Sequence, residues 1–204
     1  MKHAKIGVVV LLALLVVAPA VMAQGFPKQG PMGMKSHIEL PLYVNGAFAE
    51  SVVFESTLAV NMGKPYQTSD GIRQTDFVAT SWHAVGFSQV LGRKVTFDLT
   101  PGVRQPTGTA VSLGANSDYP AVLTFRATYD ATIDGLTRLS GLDGVATGTV
   151  NSIPPGESGL DVNKTIRFSD GVNNYVFGRG RCAHSPQHRC DPVPIQNNPT
   201  ALQK

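Results

Sequence analysis

Ser36-His-Ile-Glu-Leu-Pro-Leu-Tyr-Val-Asn-Gly46 is the stretch on which the fold turns. Ile38, Leu40, Leu42 and Val44 alternate with His37, Glu39, Pro41 and Tyr43, the period of a strand with one buried face. Pro41 brings no N–H to a ladder, which predicts an edge position. Asn45-Gly46 accepts positive φ at both residues, the strongest short hairpin signal. Phe48 to Val60 then reads as the return strand. Val52, Phe54, Ser56, Leu58 and Val60 share one face; Val53, Glu55, Thr57 and Ala59 share the other.

The same period continues outward. Gly63, Pro65 and Asp70-Gly71 mark a turn. From Ile72 to Phe87, Phe77, Ala79, Ser81, His83, Val85 and Phe87 fall on one side, and Val78, Thr80, Trp82 and Ala84 on the other. The length of this run predicts a bulge or bend near Gly86. Val95, Phe97 and Leu99 follow, then a loop from Pro101 to Gly108 and a short strand near Thr109 to Leu113. Ala121 to Ile133 is the clearest strand of the chain, with Leu123, Phe125, Ala127 and Tyr129 opposite Val122, Thr124, Arg126 and Thr128. Between 136 and 160, recurrent glycines and Pro154-Pro155 predict a long loop with one short strand near Val145 to Val150. Leu160 to Phe168 and Tyr175 to Phe177 read as a hairpin around Asp170-Gly171.

No segment carries a 3.6-residue apolar stripe. The expectation is an all-β chain: an antiparallel β-sandwich or β-barrel with hairpin connections and little or no helix. The Asx-Gly turns have no constant spacing, which argues against propellers and solenoids.

The ends read differently. Lys2 and Lys5 precede an uncharged run from Ile6 to Val17, then Pro19 and Val21-Met22-Ala23. This is the three-part pattern of a secretory signal peptide over 1–23, too short for a spanning helix. No later segment is apolar enough to cross a membrane as a helix. The chain then divides into a loose Gly/Pro-rich segment over 24–35, one all-β domain over 36–180, and a Cys/His loop with a disordered tail over 181–204. The predicted location is secreted or periplasmic.

Composition narrows the partners. Of 204 residues only 15% are charged, and the net charge is +3. Cleavage after Ala23 would remove two of the 17 basic residues and none of the 14 acidic ones, leaving +1. A balance this small gives no electrostatic support for nucleic-acid binding. A cell-envelope or extracellular partner remains open.

Cys182-Ala-His-Ser-Pro-Gln-His-Arg-Cys190 is the one compact constellation. In an exported chain two cysteines predict a disulfide, Cys182–Cys190. The rival reading is metal: His184 and His188, with or without the thiolates, suit zinc, copper or nickel. The basic residues Arg179, Arg181 and Arg189 lie in the same stretch.

Catalytic motifs are absent: no G-x-S-x-G, H-E-x-x-H, Walker loop or G-x-G-x-x-G occurs. Asp130 and Asp134 read as solvated turn carboxylates rather than a glycosidase pair. His83 shares its expected face with apolar residues, and with Asp76 and Arg126 it forms the candidate ligand-binding set. Asn163-Lys164-Thr165 fits a glycosylation sequon.

The reading favoured by these features is an exported protein with a non-enzymatic binding or structural role and no required cofactor. Two others stand beside it. One is a small-molecule-binding or enzymatic β-barrel with a pocket at His83. The other is metal binding by the C-terminal loop.

Overall fold

A computed structural model describes residues 25–155 and 159–183. The expected signal segment 1–23 and Cys190, His184 and His188 lie outside the described residues. Twelve strands run in order: β1 Gly30–Val44, β2 Ala47–Met62, β3 Tyr66–Gln67, β4 Ile72–Ser88, β5 Arg93–Leu99 and β6 Thr107–Ala115. They continue as β7 Ala121–Ile133, β8 Thr137–Val150, β9 Leu160–Val162, β10 Ile166–Ser169, β11 Asn174–Phe177 and β12 Gly180–Ala183. The described chain contains no helix, as the patterning predicts. Part of each expected loose segment is in the sheet: β1 already begins at Gly30, and β12 carries Arg181 and Cys182.

All strand pairings among the described residues are antiparallel, and they close into a barrel. The circuit runs β1-β2-β4-β5-β7-β8-β9-β12 and returns to β1, so eight positions complete it. Eight strands enclose an interior that side chains can fill or that can hold one small ligand. β4 and β7 are long enough to serve two neighbours each. Their first halves pair with β6 and their second halves with β5, which stacks β5 and β6 end to end in one slot.

β1 holds the closure. One edge pairs with β2 along its whole length, from Gly30↔Met62 to Val44↔Ala47. The other pairs with β12 at His37 to Glu39 and with β11 at Leu42 to Val44. β1 is therefore not an edge strand. Pro41 falls where β1 changes partner, so no ladder bond to β11 or β12 is lost, and its carbonyl accepts the Gly178 N–H at 2.8 Å. The turn at Asn45-Gly46 is the expected one, with φ of 50° and 87°.

β8 departs most from the sequence expectation. Thr137 to Val150 form one strand paired with β7, not a loop. Its glycines fit close approaches rather than flexibility. Gly141, at φ 70°, is the extra residue opposite Asp130 where the register shifts. At Gly144 a Cβ would stand 2.7 Å from the Tyr129 ring, and at Gly148 2.6 Å from the Gly159 carbonyl oxygen. Bare backbone leaves the room those neighbours occupy.

Asp130 locks the bulge. This carboxylate is buried, not solvated as expected. It accepts the Thr100 hydroxyl at 2.5 Å, an Arg138 guanidinium N–H at 2.7 Å and the Gly141 N–H at 3.1 Å. Those bonds, the Thr100 hydroxyl foremost, hold its pKa at about 2. Asp134 stands apart on its turn, beside Lys94 at 3.5 Å.

Two predictions follow from β8 and its lock. Gly144→Val should cost about 1–3 kcal/mol in urea unfolding, because the Tyr129 ring must move in a packed interior. Gly33→Ala, with nothing within 4 Å of its added Cβ, should be near neutral. For Asp130, a folded pKa below the ordinary value makes its contribution full above about pH 4 and lost as pH falls towards 2. Asp130→Asn should cost about 2 kcal/mol at pH 7. It should also shrink the acid step of stability against pH, without abolishing it, since Asp118 and Asp170 are lowered as well.

Candidate functional site: an apolar cavity in the barrel

The inward residues form two packed clusters at different levels of the barrel. One gathers Leu42, Val52, Phe54, Val95, Phe97, Ile133 and Phe177. The other gathers Val60, Met62, Phe77, Ala110, Leu123 and Val150. Between them lies a cavity of about 120 Å³ that takes lining residues from both. That is room for several water molecules or for part of a small ligand.

Aromatic rings define its walls. Trp82 stacks on Phe97 with centroids 6.3 Å apart and planes at 6°. Tyr129 meets both edge-on, at 5.5 Å from Trp82 and 5.8 Å from Phe97. Phe77 and Phe125 stack at 6.0 Å across the other cluster. Phe77 lies over Gly108, where a Cβ would come within 1.9 Å of the ring. That glycine is what lets the phenyl group lie flat against β6.

Few polar groups reach this space. Ser36 and Ser56 face each other across the β1–β2 ladder, and both line the cavity. The Trp82 indole N–H donates to the Ser56 hydroxyl at 2.8 Å, so these two groups satisfy each other. Tyr129 is only 6% exposed, and its hydroxyl has no hydrogen-bond partner among the described residues. Burial pushes its pKa well above the ordinary value, so it stays a neutral donor. Cys182 also lines the cavity, facing inward from β12 and packed against both clusters. It carries no disulfide among the described residues. Lys164, half-buried in the connection from β9 to β10, is the only charged residue among the described lining.

The sequence-derived set His83, Asp76 and Arg126 lies elsewhere. None of the three lines the cavity. The reason for His83 is a register shift between β2 and β4: Ala59 pairs with Ser81 and Val60 with Ala79, so Thr80 is the extra residue. The bulge sits at Thr80, not near Gly86 as the sequence suggested. It reverses the alternation, so Phe77 and Ala79 point in before it, and Trp82 and Ala84 after it. His83 therefore faces out, half-exposed, and its Nδ1 pairs with Asp98 at 2.7 Å across the β4–β5 ladder. Asp76 accepts the Tyr66 hydroxyl and a Gln74 amide N–H. Arg126 is exposed on the outer face of β7, across β6 from Val78 rather than Asp76. The three do not meet in one concave site.

The groups that build the cavity were visible but read as something else. Tyr129 sits on the inward face expected for β7, with Leu123, Phe125 and Ala127. Lys164 carried only a sequon signal. Among the described residues, no group of His, Cys, Asp and Glu could hold a metal ion.

No family model matches the chain, and no curated protein matches it. Among solved structures it is similar in fold to DynF from the dynemicin biosynthesis pathway of Micromonospora chersina. The TM-score is 0.58 and the identity 16%, over 82% of this chain and 84% of that one. At that identity the likeness speaks for the fold alone.

Proposed function

We propose that this chain is an exported, non-enzymatic binding protein that carries an apolar small molecule inside its barrel. One observation bears the weight: an apolar cavity left open between two close-packed clusters. Protein interiors pack densely, and an empty apolar space forfeits dispersion contacts that a ligand would supply. A concave, aromatic-lined site with few polar groups is the usual form of a small-molecule pocket. Export rests on the N-terminal pattern Lys2, Lys5, Ile6 to Val17 and Ala23.

Trp82 is the chain's only tryptophan and lines the cavity, so its fluorescence reports occupancy directly. Titration with the neutral probe N-phenyl-1-naphthylamine should give saturable 1:1 binding with energy transfer from Trp82. Ala127→Phe, which fills the space, should weaken that binding at least tenfold while near-native thermal unfolding is kept. Equal binding to the filled variant, or no saturable signal in the parent protein, would refute the proposal. Export predicts a mature N-terminus at Gln24 in protein recovered from outside the host cytoplasm; an intact Met1 there would count against it.

A further inference from the structure

We infer that the ligand is an apolar molecule bearing one acidic group, with the acid seated at Lys164 and the Tyr129 hydroxyl beside it. This inference rests on the cavity reading above and adds its chemistry. Among the described lining residues Lys164 is the only charge, and it forms no ion pair with any described residue. Among the described residues the flanking strand β9 supplies no counterion: its Asp161 is exposed and does not line the cavity. An ammonium carried at the rim of an apolar wall, with no counterion of its own, is a natural partner for an anionic group.

The wall around Lys164 is fixed by the backbone. Asn163, its neighbour, donates its N–H to the Val145 carbonyl at 2.9 Å. Val145 follows Gly144, and bare Gly144 lies against the Tyr129 ring. Lys164 and Tyr129 are thus brought to one side of the cavity by the contacts Asn163–Val145 and Gly144–Tyr129. Tyr129 adds a hydroxyl that makes no hydrogen bond to a described residue and can donate to an oxygen. Among the described residues no ladder joins β10 to the first half of β8, so the barrel wall has a seam on this side. An acid at the seam with its apolar body between the clusters satisfies both groups. Apolar molecules carrying a positive group, or no polar end, leave them unmet.

The test compares decanoate, decanol and decylammonium on the full-length protein at pH 7.5, read by Trp82 fluorescence and calorimetry. Decanoate should bind about tenfold tighter than decanol, the scale of a partly exposed charge-assisted pair. Lys164→Gln should weaken decanoate about tenfold and decanol far less, removing that preference, and Lys164→Arg should keep most of it. Tyr129→Phe should weaken decanoate a few-fold and decanol less. Equal affinities for decanoate and decanol, untouched by Lys164→Gln, would overturn the acidic-group inference and leave the apolar cavity standing. Tighter binding of decylammonium would overturn it too. Failure of all three probes and of the neutral naphthylamine would sink the cavity reading itself.

Discussion

The closure of the sheet through β1 is the constraint on which the interior depends. Its ladder to β2 and its divided ladder to β12 and β11 close the circuit and leave unpaired edges only at the seam between β10 and the first half of β8. Once closed, every inward residue of β1, β2, β4, β5, β7 and β8 faces the same space. The circumference is set by strand number, not by what the side chains can fill. Phe54, Phe97 and Phe177 pack one level, with Phe54 meeting the other two rings at 4.8 and 6.1 Å. Phe77, Val60 and Leu123 pack another. Small inward residues between them, Ala127, Gly144 and Ala146, leave the gap. The cavity is a consequence of closure plus small residues at one level.

Strands with unbroken alternation and Asx-Gly turns were readable from the sequence. β1, β2 and β7 have the expected inward faces; Tyr43 on β1 and Asp130 on β7 are buried on the opposite face as well, against neighbours the pattern does not show. β8 was not readable because Gly141, Gly144 and Gly148 look like loop residues until their neighbours are known. A local pattern cannot tell a glycine that permits φ 70° from one that makes room for Tyr129. Sheet closure was likewise invisible, since Pro41 argues locally for an edge and only the meeting of β11 and β12 on β1 accommodates it.

The candidate site was lost to a single residue. Thr80 as a bulge reverses the faces of β4, exchanging His83 for Trp82 at the interior. A one-residue shift moves every later side chain to the opposite face. The same strand therefore supplied the wrong histidine and concealed the right tryptophan. Lys164 has no local pattern to mark it; it becomes informative only when β9 and β10 place it on an otherwise apolar wall. Polar chemistry drew the sequence reading outward to His83, Asp76 and Arg126, where cross-strand pairing and turn contacts occupy ordinary surface groups.

The space between the two clusters is apolar, and xenon reports on it. Diffraction from a crystal pressurised with xenon should show the gas between Trp82, Phe97, Phe125 and Tyr129, as dry apolar cavities take it up. A barrel whose side chains close that space, with no xenon among those rings, would contradict the account.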